Sequence, residues 1–234
     1  MKTAHVPDDV GFATKPALAL AMIQRAIDAN VTFSWVAADS VYGTYDVEMA
    51  LRCANKGYVL GVSSDHHLHG GEIKGTTKTI ANGLPDAAWQ RLSCGEGSKG
   101  NRLHDWAYVE IFDLDGKDIF NRFQGHWTKG LLIRRNIADN ELAFYITWCP
   151  RGTSIETLVR VAGRRWAIEE SFETAKTELG LDHNETRSWH GWHRHVSLVM
   201  LAFAMVVTIR YNANAMPSPK KTRATMKTKS RSRF

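Results

Sequence analysis

The chain has little cysteine: Cys53, Cys94 and Cys149 are its three, far apart and without a Cys-x2-Cys pair. An odd, scattered set excludes a disulfide framework and fits a reducing compartment, the cytosol. Such cysteines are expected as small buried hydrophobes. Met1–Asp9 lacks the apolar core of a secretory leader, so no leader is expected. No apolar run reaches the ~20 residues of a bilayer-spanning helix. The longest, Val196–Ile209, is expected as a buried core helix, and no membrane partner is expected. No internal repeat is present, so a solenoid is excluded.

What is present describes an ordinary globular protein. The 234 residues are 44% hydrophobic and 23% charged. That length allows one large domain or two small ones, with a core that hides roughly 70% of the unfolded surface. The net charge of +6 points to an acidic partner such as nucleic acid. Its distribution is uneven. Lys220, Lys221, Arg223, Lys227, Lys229, Arg231 and Arg233 sit in a C-terminal stretch without acids, and the remainder carries a net charge of −1. Evidence for a DNA partner must therefore be local.

Lys15–Asn30 shows apolar residues at helical spacing, with Pro16 suited to the first turn. Val31–Ala38 reads as a buried strand ending at Asp39. Tyr42 and Gly43 turn the chain, Tyr45–Asn55 reads as a helix closed by Gly57, and Tyr58–Ser63 as a second strand. This alternation predicts a parallel α/β core over residues 1–64. Residues 65–150 change character. Glycine-rich turns separate strand-like runs at Trp106–Asp113, Gly130–Arg134 and Glu141–Cys149, which predicts a β-rich insertion. Helix returns over 151–213. Thr153 and Glu156 fit a capping box, Gly163 interrupts the helix, and Gly180 ends its continuation. Residues 214–234 lack periodicity and read as a disordered basic tail.

Two places could carry chemistry. On a helix of about 100° per residue, Arg165, Glu169 and Lys176 fall within roughly 40° of one another. Ile168, Phe172, Ala175 and Leu179 form the adjacent apolar stripe, which puts Glu169 at the border of a core. The plainer alternative is an Arg165–Glu169 pair worth a few tenths of a kcal/mol, about 0.2–0.5. The other place is Asp39, at the carboxyl end of a strand, where open α/β sheets put reactive groups. Its plainer alternative is an aspartate that starts a turn. Two such carboxylates could hold Mg²⁺ or Mn²⁺, a hard cation that takes few protein oxygens and keeps its waters. Paired ions of that kind clamp both oxygens of an in-line phosphoryl transfer. Arg165 and Lys176 would then face DNA phosphates.

Arg165-x3-Glu169-x6-Lys176 resembles the last three members of the Tyr-x2-Arg-x3-Glu-x6-Lys signature of DDE-type insertion-sequence transposases. Trp166-Ala167-Ile168 before Glu169, and Phe172 after it, resemble that glutamate's usual setting. Trp35–Gly43 resembles the strand that carries the family's second catalytic aspartate. Phe12–Pro16 resembles a segment of one bacterial subgroup. The resemblance spans about residues 7–212. It implies a ribonuclease H-like core interrupted by a β-rich insertion, with a C-terminal helical segment. It also implies catalytic, metal-binding roles for Asp39 and Glu169, with double-stranded DNA, both element ends and target, as partner. A homodimer on DNA and a nucleoid-associated, cytoplasmic location are further implications. Two departures stand out. Ala162 occupies the signature's tyrosine position, and the first catalytic aspartate has no counterpart on an early strand. Asp8 and Asp9 follow no strand-like run. The expectation is a partial ribonuclease H-like core in an amino-terminally truncated copy, with reduced or no cleavage.

Two other classes compete with this one. One is a non-catalytic DNA-binding remnant. The other is a zinc-dependent hydrolase built on His66, His67 and His69 or on His190, His193 and His195, though no His-Glu-x2-His accompanies either cluster. Trp106, Trp127, Trp189 and Trp192 are candidates for base stacking, with core packing as the alternative.

Overall fold

The computed structural model describes residues 2–70, 73–97, 100–111 and 127–215. They form two compact units, Asp8–Ser171 on the one hand and Met1–Pro7 with Phe172–Phe234 on the other. The basic tail lies outside the described residues.

The larger unit is a mixed α/β structure on a curled six-stranded sheet, compatible with a partial ribonuclease H-like fold. Its strands are β1 (Trp35–Ala38), β2 (Gly57–Val62), β5 (Gln90–Gly97), β6 (Gly100–Ile111), β7 (Trp127–Arg135) and β8 (Leu142–Pro150), in the order β1-β2-β8-β7-β6-β5. β1 is an edge strand and runs parallel to β2, whereas the other neighbours are antiparallel. The strands of residues 90–150 thus continue the same sheet as β1 and β2. A separate hairpin pairs β3 (His67–Gly70) with β4 (Ile73–Thr76).

Alternation along the strands makes two cores. Tyr58, Leu60, Leu131, Ile133 and Ile146 point to one face, where they meet Val47 and Leu51 of α2 (Tyr45–Cys53). Leu20 and Ile23 of α1 (Lys15–Asp28) and Ala81 of α3 (Thr77–Asn82) pack there too. Val59, Leu132 and Tyr145 point to the other face and cover Leu158, Val159 and Ala162 of α4 (Ile155–Gly163). Because the sheet curls, α4 touches both edge strands, β5 and β1. Burying each of these aliphatic side chains is worth about 1.5–3 kcal/mol, so α4 is strongly held.

Local differences from the sequence reading have local causes. β1 begins at Trp35 rather than Val31. Asn55, with φ 53°, takes the left-handed position after α2, and Gly57 begins β2 instead of capping the helix. α4 is capped by Ser154, whose hydroxyl accepts from the Thr157 amide at 3.4 Å. Thr153 instead donates to the Pro150 carbonyl at 2.6 Å, so the N-cap lies one residue later and the expected Thr153–Glu156 capping box is not formed. Cys94 and Cys149 are buried but Cys53 is exposed.

The smaller unit holds the second half of α5 (Arg165–Thr177) and all of α6 (Trp189–Ala215). Gly180, with φ 67°, ends the α5 segment as expected. The His195 ring sits 3.1 Å from the Gly180 carbonyl. The expectation of a buried core helix is corrected. Leu198, Met200, Leu201, Met205, Val207 and Ile209 are exposed, and Val199 alone of α6 is buried among the described residues. Helix continues past both ends of the apolar run, reaching 27 residues. By length and composition it suffices to cross a membrane.

Candidate active site and its cationic surround

Asp39 follows β1 directly, one residue beyond the Ala38–Leu60 pair. Its Oδ1 accepts from the Ser40 amide at 2.6 Å, and its carbonyl accepts from the Tyr42 amide at 2.9 Å. Two glycines let this turn lie flat on β2. A Cβ at Gly61 would stand 2.8 Å from the Ser40 nitrogen, and one at Gly43 would stand 2.3 Å from the Gly61 carbonyl oxygen. The carboxylate is thereby fixed at the sheet's carboxyl end yet remains exposed.

The second carboxylate is placed by α4 and α5. Gly163 lets α4 press on β5, since a Cβ there would stand 1.8 Å from the Cys94 carbonyl oxygen. Arg164 caps α4, and α5 starts at Arg165. Arg165 and Glu169 form an ion pair at 2.7 Å, as the plainer reading of the helix had it. Glu169 does not border a core: its side chain is 55% exposed, and Ile168 and Phe172 are exposed as well. The anchored residue is Trp166. Its ring stacks against His104 at 6.3 Å, and the guanidiniums of Arg102, Arg134 and Arg165 lie 5.3, 5.6 and 5.4 Å from it. Arg102 also pairs with Glu170 at 2.6 Å.

Tyr145 relates the two halves. It faces Gly61 across the β2–β8 ladder, at the level of the Asp39 turn. Burial pushes its phenol above the ordinary tyrosine range. Arg134 and Arg165 pull it back, and Asp39 pushes it up. Ala162, at the signature's tyrosine position, packs in the same cluster as Tyr145, so β8 brings a tyrosine to this cluster. Lys176 lies in the last turn of α5 and belongs to the smaller unit.

The donor chemistry suits a hard cation. Among the described residues, Asp39 Oδ2 and Glu169 Oε2 accept no hydrogen bond, and both carboxylates are exposed. Among the described residues no three His, Cys, Asp or Glu side chains converge as a metal site. The histidines make other contacts: His67 stacks on His69 at 6.2 Å, and His193 lies on Trp189 at 4.2 Å. Trp106 is wholly buried and so cannot stack on a base, while Trp127 stacks on Trp148. Sequence reasoning missed Arg102, Arg134 and Tyr145, which lie on three strands and share no motif.

An aspartate at the end of a parallel strand, and a glutamate on a later helix rich in cations, are thus the two exposed carboxylates that the sequence singled out. Residues 1–85 match the family model described as DDE superfamily endonuclease. The match includes β1 and Asp39 and supports a DDE-type transposase or endonuclease family, whose members act on DNA and generally use divalent metals. Arg165, Glu169 and Lys176 lie outside it. A comparison with curated proteins gave no match.

Proposed function

We propose that the chain carries part of a DDE-type transposase that cuts and joins element-end DNA by metal-dependent phosphoryl transfer. The carrying observation is Asp39, exposed at the carboxyl end of β1 on a turn packed against Gly61, inside the matched segment. Asp39 and Glu169 would hold Mg²⁺ or Mn²⁺, which supplies charge neutralisation at the phosphate and a more acidic bound water. Arg165 pairs with Glu169 in the free protein and can turn to a DNA phosphate once a cation takes up that carboxylate's charge. Lys176 would add a second phosphate contact. Since the first catalytic aspartate has no counterpart on an early strand, the chain should bind DNA but cut it very slowly or not at all. That outcome is also what a DNA-binding remnant would give.

The test is nicking of a supercoiled plasmid bearing element ends, with Mg²⁺ or Mn²⁺ and with chelator, alongside duplex binding measured by anisotropy. DNA binding with no metal-dependent nicking is expected. Robust nicking that disappears in Asp39→Asn would overturn the claim of an incomplete site. Failure to bind duplex DNA at low salt would overturn the DNA reading itself. Stoichiometric zinc in purified protein would favour the hydrolase alternative.

A further inference from the structure

A cleft of about 310 Å³ lies between β1 and α4, lined by Trp35, Ala37, Thr157, Arg160, Val161 and Arg164. Its two walls follow from periodicity. Trp35 and Ala37 are alternate residues on one face of β1, and Asp39 is the next position of that alternation. Thr157, Arg160, Val161 and Arg164 follow i, i+3, i+4, i+7 spacing, one stripe along α4 and its cap. The wall thus carries two guanidiniums and a hydroxyl, facing an indole.

The charge is not neutralised within the protein. Among the described residues, neither Arg160 nor Arg164 forms an ion pair. Glu156 is held below the ordinary carboxylate range chiefly by hydrogen bonding to backbone and to Ser154, and least by Arg160, with which it makes no salt bridge. One Arg160 N–H goes to the Thr157 hydroxyl at 3.2 Å, which leaves four of its five donors. Guanidinium forks suit phosphate oxygens, and an indole suits the apolar face of a sugar or base. Along the strand, Ala37 lies about 7 Å from Asp39 at the usual rise per residue.

We infer that this cleft binds a DNA-strand phosphodiester adjacent to the one presented at Asp39, with Arg160 and Arg164 on its oxygens and Trp35 against the neighbouring nucleoside. This rests on the DNA reading above and deepens it.

The test uses the full chain and the double variant Arg160→Gln/Arg164→Gln. Both side chains are exposed, so the urea midpoint should hold and serves as the folding control. Affinity for a labelled duplex is measured across a salt series. Loss of both arginines from this one phosphodiester should lower the slope of log affinity against log salt by about 0.9. Separately, a thymidine dinucleotide should change tryptophan emission in the wild type but not in Trp35→Phe or the double variant. Inorganic phosphate alone should change it far less. An unchanged salt slope, together with a dinucleotide response in the double variant equal to that of the wild type, overturns the cleft and leaves the DNA reading intact. A dinucleotide response that needs Trp35 and both arginines, without any duplex binding, keeps the cleft as a phosphodiester site and overturns the duplex reading. Inorganic phosphate acting as strongly as the dinucleotide overturns the strand assignment.

Discussion

Gly163 links the packing of α4 to the position of the site helix, and Gly163→Ala sets two effects against each other. Alanine is the better helix former by about 0.8–1.0 kcal/mol in a helix interior, and less at a helix end. Against this, the new Cβ would stand 1.8 Å from the Cys94 carbonyl oxygen and 2.8 Å from its carbon, where ordinary contact begins at 3.4 Å. Both atoms are strand backbone, so α4 itself must shift by well over an ångström. Leu158, Val159 and Ala162 are 0%, 0% and 4% exposed and would lose contact with the sheet as it moved. A radial gap of about 0.5–1 Å already forfeits a quarter to a half of each dispersion contact. Overpacking of this kind costs about 1–3 kcal/mol and here outweighs propensity. The variant should be less stable by about 2 kcal/mol, which for this size lowers Tm by roughly 4–8 °C. Urea unfolding measures it, with Gly11→Ala as control because no atom lies within 4 Å of a Cβ there. A Gly163→Ala midpoint at or above wild type would refute the close approach of α4 to β5, and with it the placement of Arg165 two residues later.

Three further outcomes follow from the same geometry. Glu48, Arg52 and the Tyr58 hydroxyl form a buried network of 2.9 Å contacts; Glu48→Ala should cost about 3–5 kcal/mol in urea unfolding, and adding Arg52→Leu should restore part of it. Burial, together with Arg134, holds His104 below the ordinary histidine range, and burial does the same for His66. The unfolded chain therefore binds more protons, so stability is complete above about pH 6.5 and declines as pH falls through the depressed folded values; His104→Gln should flatten that decline. Gly61→Ala should lift the Asp39 turn off β2, seen as faster hydrogen exchange in the turn, and exchange equal to wild type would show that the turn is not seated there.

How much of this was readable beforehand depends on range. Helices with local signals were legible: Pro16 marks the first turn of α1, and Gly180 ends the α5 segment. The end of β1 at Asp39 was legible too, because an apolar β-branched run stopped at a carboxylate. Features set by tertiary contact were not. β5 is a polar strand, exposed or half-buried over most of its length, so periodicity gave no signal for it. The role of Gly163 as a contact, and not merely a break, depends on a carbonyl 69 residues earlier. The burial of α6 was misjudged for a related reason: apolar composition shows that a helix can be covered, whereas coverage needs a partner, and the described residues supply none for most of its surface.

The same distinction bears on the charge. With the basic tail set aside the chain is nearly neutral, yet guanidiniums of Arg102, Arg134, Arg160, Arg164 and Arg165 gather along α4, the start of α5 and the sheet face beneath. Arg102 and Arg165 have glutamate partners. Among the described residues Arg134, Arg160 and Arg164 form no ion pair, and the Arg134 Nε is buried without a hydrogen-bond acceptor. Like charges held this close repel, and a buried donor without an acceptor costs about 1–3 kcal/mol. A fold keeps such an arrangement at lower cost when an anion completes it. Three stretches of sequence contribute these cations, so composition registered only their sum and motif spacing registered only Arg165. The curled sheet assembles them on the face that carries Tyr145. Phosphate contacts should therefore be spread along this whole face, and a substitution at Arg134 should lower the salt slope of DNA binding by about 0.9, separately from the Arg160 and Arg164 pair. A slope that responds to Arg165 alone would confine the interface to the signature helix.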